Sequence, residues 1–229
     1  THVITRQHVR EDQSDREIGT TKRGNGPAYR SKYGRTGVRA QDVPALEGYI
    51  VDLYEEIHSD SANTKILFEG AQGFGLDIDW GDYPYVTSSH CTVGSAVLNG
   101  VPAQAIRDVF GVAKAYETYV GAKQFEPKDP VFQKIREHGE EYGATTGRPR
   151  QCNWMNWQLL EKASKINGVT DLIINKIDVL DGFEEFCIYD EEDKISFNCI
   201  TSLQHWVNQQ ASRIPTIKNV TFSGNKNAI

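Results

Sequence analysis

Apolar and polar positions follow two rhythms along the chain. In "VPALEGYIVDLYEEIHS", Leu46, Tyr49, Ile50, Leu53, Tyr54 and Ile57 recur at helical spacing and predict an amphipathic helix. In "WMNWQLLEKASKIN", Met155, Leu159, Leu160, Ala163 and Ile166 share one face and predict another. "SLQHWVNQQASRI" predicts a last helix. Short apolar runs bounded by turns read as strands: Ile66 to Phe68 in "KILFEG", Leu172 to Ile174 in "DLIINKID", and "NVTFSG". "AIRDVFGVAKAYETYVG" carries an apolar run compatible with strand or helix, and "FEEFCIYDEEDKISFNCI" reads as a hairpin with an acidic turn. The polar stretch from Thr1 to Ala40, rich in Gly and Arg, reads mostly as loop.

Strands alternating with helices predict the α/β class, with a mainly parallel central sheet flanked by helices. Ligands of such sheets sit beyond the carboxyl ends of the strands. Three predicted strands run into polar, Gly-containing turns: Glu69-Gly70-Ala71-Gln72-Gly73, Asn175 to Asp178, and Ser223-Gly224-Asn225. On one sheet edge they would build one site.

Composition narrows the partners. The 229 residues suit one α/β domain, 1–229. A net charge of −6 argues against nucleic acid and anionic membranes, so any anion site must be a local concentration of Arg and Lys. No apolar run approaches a membrane span, and there is no signal peptide. Cys91, Cys152, Cys187 and Cys199 are scattered, without a CxxC pair, which speaks against zinc and a disulfide scaffold and for a reduced, cytoplasmic setting.

Four stretches carry candidate chemistry. "IGTTKRGNGPAYRSKYGRTGVR" combines glycines with Thr20, Thr21, Arg23, Arg35 and Arg39, donors suited to phosphate. "FEGAQGFGLDIDWGDYPYVTSS" holds Gln72, whose amide can read a base edge or hold a phosphate, and the hydroxyls Thr87, Ser88 and Ser89. Its Asp77, Asp79 and Asp82 only loosely resemble a calcium loop and read as capping and surface residues. "GATTGRPR" puts Thr145, Thr146, Arg148 and Arg150 in a Gly-flanked loop. In "NKID", the Asp178 carboxylate can face guanine N1–H and N2–H₂ while Lys176 lays its stem over the base. Neither a G-x-x-x-x-G-K-[ST] loop nor a G-x-G-x-x-G after a strand is present.

Taken in order, "GTTKRGNGPAY", "FEGAQG…LDIDWGDYPYVTSS", "AKAYETYVGA", "EYGATTGRPR" and "NKIDVLDG" resemble the adenylosuccinate synthetase family from Ile18 to Phe186, and more weakly at "TFSGN". The resemblance implies a P-loop-type fold and a ligase of purine biosynthesis. Such a ligase joins L-aspartate to IMP using GTP and Mg²⁺ through a 6-phosphoryl intermediate. It implies IMP contacts at Thr21, Gln72, Thr87 and Arg148, with Arg35 reaching the IMP phosphate across a homodimer. Thr145, Thr146 and Arg148 would bind aspartate, and Arg150, Lys176, Asp178 and Gly224 would bind GTP.

The family's phosphate loop, catalytic Asp and His, and Mg²⁺ ligands lie in a preceding segment that this sequence does not contain. The chain therefore reads as the C-terminal two-thirds of a longer enzyme, with no catalytic or metal residue of its own. It is also short between Arg39 and "FEG" and after Phe186, and has Pro149 where the family usually has Arg. Compact phage relatives act on dGMP; the intact NKID favours GTP and the IMP reaction. The alternatives are that phage-type ligase or a non-catalytic nucleotide-binding module.

Overall fold

The computed structural model describes residues 18–60, 63–144 and 147–224, which fall into two compact units. The larger, 107–120 with 124–229, is built on the apolar runs read above. Strands β1 (Phe110–Lys114), β4 (Asp171–Asn175) and β7 (Asn219–Ser223) form a sheet in the order β1-β4-β7, parallel throughout. Central β4 buries Leu172 and Ile174, both at most 1% exposed, on one face, while Ile173 on the other is only half-buried beside exposed Val112 of β1.

A second sheet runs β2 (Tyr116–Tyr119), β3 (Gln151–Asn156), β5 (Phe186–Asp190) and β6 (Asp193–Phe197). Here β3 and β5 are parallel and the outer pairings antiparallel. The ambiguous run at 106–121 is thus two strands, one in each sheet. The hairpin at 186–197, the last strand and the last helix (Ile200–Ala211) form as expected.

"WMNWQLLEKASKIN" is not all helix. Met155 lies in β3, and the helix Trp157–Asn167 starts after Asn156, whose side chain accepts from Leu159 N–H at 2.9 Å. That cap ends the strand where periodicity alone suggested continuity. Trp157 packs edge-on against Trp206, with ring centroids 5.3 Å apart, joining two helices to the core. The helix Val131–His138 adds buried Phe132 and Ile135.

The smaller unit, 1–106 with 121–123, departs further from expectation. Within the stretch to Ala40, Asn25–Tyr33 is a helix, not loop. The helix expected over 46–57 is a 3₁₀ turn, Pro44–Tyr49, then a short helix, Leu53–His58, capped by Asp52. Its apolar face is exposed: Tyr49, Leu53 and Tyr54 all stand half or more in solvent. The "KILFEG" strand is absent; Ile66, Leu67 and Phe68 have no ladder, and Leu67 is 88% exposed. No helix among the described residues is long and apolar enough to cross a membrane.

Candidate functional site

Parallel pairing of β4 with β7 puts their carboxyl ends side by side, Asn175 opposite Ser223. The residues that follow are Lys176 to Asp178 and Gly224, so two of the three predicted turns do share one edge. The third turn, Glu69 to Gly73, belongs to the smaller unit and follows no strand. Asp178 is exposed, and its carboxylate makes no hydrogen bond among the described residues. Gly224 lies against it: a Cβ built on Gly224 would stand 3.3 Å from the Asp178 Cβ. A free carboxylate beside a bare glycine is a slot for a flat group with paired N–H donors.

Lys176 has φ 57°, a left-handed conformation costly for a side-chain-bearing residue. Its N–H bonds Asn175 Oδ1 at 2.6 Å, and its ammonium reaches the Gly139 carbonyl and, at 3.3 Å, Glu141. Glu141, 0% exposed, is the hub of the region. Its carboxylate accepts from Lys114 Nζ at 2.9 and 2.8 Å, from Tyr116 Oη at 2.6 Å and from Arg150 at 2.6 Å. Burial opposes its charge, but the bonds from Lys114, Tyr116 and Arg150 more than offset that and hold the carboxyl at about 2. Burial and the same carboxylate push the Tyr116 phenol far above its ordinary value, so it stays a donor. Gly139 makes room for this bond: a Cβ there would fall 2.3 Å from the Tyr116 hydroxyl.

Glu141 and Arg150 also close the base of the loop between them. Arg150 N–H donates to the Glu141 carbonyl at 3.0 Å, and Tyr142 bridges to Pro149. Gly143 N–H reaches the carbonyl of exposed Arg148 at 2.9 Å. Arg136 Nε holds the Arg150 carbonyl at 2.7 Å. Thr145 and Thr146 lie outside the described residues. Lys114, Tyr116 and Glu141 were not singled out from sequence. "EEYG" offers two adjacent carboxylates, and only the fold shows that Glu140 faces solvent and Glu141 does not.

In the smaller unit, Thr87 lines a groove of about 500 Å³ between the helix Asn25–Tyr33 and the Tyr83–Ser88 turn. Thr21, Arg35 and Gln72 are exposed, the last two at φ 58° and 62°. Among the described residues no hydrogen bond joins these four to one another. Asp77, Asp79 and His90 come together as a metal-capable group. Asp77, however, is fully buried and already accepts N–H bonds from Asp79, Trp80 and Cys91, at 2.9, 3.0 and 2.5 Å. Those bonds, with nearby His90, outweigh burial and lower its pKa. Asp77 is thus the capping residue expected, and a saturated carboxylate with an imidazole does not suit a hard Mg²⁺ ion.

Comparison with known proteins bears on the family and the fold. The family model described as adenylosuccinate synthetase matches residues 1–47 and 43–210. The two stretches meet inside the region that is short after Arg39. The adenylosuccinate synthetase of Xylella fastidiosa (strain M12) is 40% identical over 260 aligned residues, covering 89% of this chain and 60% of its own length. That of Xanthomonas euvesicatoria pv. vesicatoria (strain 85-10) is 42% identical, covering 82% of this chain and 54% of its own length. This chain therefore spans little more than half the length of these relatives. The structure of the fully ligated Plasmodium falciparum adenylosuccinate synthetase superposes with a TM-score of 0.79 at 27% identity, covering 96% of this chain and 72% of that one. The succinoaminodeoxyadenylate synthetase of cyanophage S-2L, bound to dGMP and dATP as an energy donor, shares the fold, with a TM-score of 0.63 at 21% identity, covering 90% of this chain and 69% of that one. The family match over most of the chain and relatives at 40% identity or more show that this chain belongs to the adenylosuccinate synthetase family.

Proposed function

We propose that this chain forms part of a GTP-dependent ligase that joins L-aspartate to IMP, giving adenylosuccinate, GDP and phosphate. The observation that carries the reading is the Asp178–Gly224 slot at the carboxyl ends of β4 and β7. In it, Asp178 accepts from guanine N1–H and N2–H₂, and adenine, lacking both donors, leaves the carboxylate unpaired. Lys176 covers the base with its stem, and Arg150, anchored on Glu141, presents its remaining donors to the nucleotide. Arg148, with Thr145 and Thr146, takes the aspartate substrate and reaches IMP. Thr21, Gln72 and Thr87 hold IMP, and Arg35 serves the IMP phosphate of a second copy in a homodimer.

When bound, Mg²⁺ neutralises charge on the transferring phosphoryl group. The Asp77, Asp79 and His90 group does not suit it, and no step is assigned to these residues. The test is formation of adenylosuccinate from IMP, aspartate and GTP by the protein at its natural full length, with dGMP replacing IMP in a parallel reaction. Turnover with IMP is expected; turnover with dGMP alone moves the chain to the other substrate, and turnover with neither sinks the ligase reading.

The slot itself makes a narrower prediction. Gly224→Val puts a branched side chain against Asp178 and displaces its carboxylate. The KM for GTP is expected to rise about 10-fold, with that for IMP little changed. Initial-rate kinetics check this, and equal effects on both substrates would remove Gly224 from the guanine site.

A further inference from the structure

We propose that Glu141 is a positioning residue that locks the Arg148–Arg150 loop to the Lys176–Asp178 turn, so that the two form one nucleotide-facing surface. The proposal rests on the guanine-nucleotide reading above and deepens it. Four side chains from three separate segments converge on this one buried carboxylate: Lys114 and Tyr116 on either side of the β1–β2 junction, Arg150 before β3, and Lys176 after β4. Of these, Arg150 and Lys176 are the groups assigned to the nucleotide, and both stand about one-third exposed, with donors left to offer outward.

Without the carboxylate, the Lys114, Arg150 and Lys176 cations would crowd one another within a few ångströms and separate. Lys176 would also lose a contact that stabilises its left-handed backbone, on which the direction of Asp178 depends. Glu141 touches neither substrate nor reacting atoms. It acts through Arg150 and Lys176. Its backbone does related work, because the Arg150 N–H donates to its carbonyl and so closes the loop at the same point.

The experiment measures the binding of N-methylanthraniloyl-GDP, a fluorescent guanine nucleotide, to the full-length protein and to Glu141→Gln and Tyr116→Phe. Glutamine keeps size and one acceptor but removes the charge. Expected are a Kd raised about 30-fold by Glu141→Gln and about 3-fold by Tyr116→Phe, which withdraws a single bond to the carboxylate. In steady state the KM for GTP and for aspartate should rise together, while that for IMP stays put. A merely structural role predicts a lower melting temperature with an unchanged Kd in the folded fraction, and that result overturns the proposal. If Glu141→Gln does not fold, Tyr116→Phe decides, and an unchanged Kd there also overturns it. A wild-type protein that binds the nucleotide but makes no adenylosuccinate would sink the ligase reading and leave the Glu141 comparison intact. Failure of the wild type to bind would sink both.

Discussion

Replacing Asp178 by asparagine raises the KM for GTP by about 100-fold and leaves that for IMP nearly unchanged. The carboxylate is exposed and makes no hydrogen bond among the described residues, so the substitution breaks no internal contact there and the fold should stand. With guanine in the slot it accepts two charge-assisted bonds. Each is worth about 1.5–3 kcal/mol before the cost of stripping water from an exposed anion, leaving about 3 kcal/mol for the pair. Asparagine keeps one acceptor for N1–H but turns an amide N–H₂ toward the guanine N2–H₂, donor against donor. Xanthine carries a carbonyl at that position. The variant should therefore recover activity with XTP while losing it with GTP, a reversal that general damage cannot mimic. Initial rates with each donor check this, and a GTP KM that does not move would remove Asp178 from the guanine site.

The place of Asp178, just past a strand end, was legible for a physical reason. β4 is the central strand of a parallel sheet, with Leu172 and Ile174 buried on one face and Ile173 half-buried on the other, so it appears as a short apolar run that stops where the backbone leaves the sheet. The polar residues just past that stop are the ones a ligand meets. β7, outermost in the strand order, alternates instead, with Asn219 and Thr221 exposed and Val220 and Phe222 half-buried, and it too stops just before Gly224. "KILFEG" shows the pattern of β4 and is not a strand. An apolar run becomes one only where a neighbouring backbone supplies the ladder, and none among the described residues faces Ile66 to Phe68. Met155 was misplaced for a different reason. Its spacing to Leu159 fits a helix, but Asn156 caps the helix one residue later. Local capping chemistry outweighed periodicity.

Glu141 was illegible for a third reason. Its neighbours in the chain are a solvent-facing Glu140 and a loop, which is where solvated carboxylates usually occur. What buries it is contributed by Lys114, Tyr116 and Lys176, 25 to 35 positions away along the chain. Arg150 was singled out as a GTP-binding residue, and the structure adds that it is first an anchored residue. An arginine held on a buried carboxylate loses little further freedom on meeting a nucleotide, so the anchor favours binding as well as folding.

That anchor has a measurable signature in acid. The Glu141 carboxyl is lowered from its ordinary 4.5 to about 2 in the folded protein. A group whose folded pKa lies below its unfolded one stabilises the fold fully above the unfolded value and loses that contribution as pH falls toward the folded one. The window here runs from about pH 5 down to about pH 2, and at about 1.4 kcal/mol per pH unit the contribution amounts to about 3 kcal/mol. Asp77 and Asp171 are lowered as well, and they destabilise the acid form in the same direction. The decisive quantity is therefore a difference. Urea denaturation of the wild type and Glu141→Gln at stepped pH should show a stability gap that is constant above pH 5 and narrows by about 3 kcal/mol on the way to pH 2, because Asp77 and Asp171 are common to both proteins. A gap that stays constant through that range would mean that Glu141 is not the charged centre to which Lys114, Arg150 and Lys176 are tied. Protonation below pH 2 has a further consequence, since it leaves those cations facing one another without their counter-ion. The nucleotide surface should then loosen before the rest of the β1-β4-β7 sheet does, as repulsion acts first where the charges are concentrated.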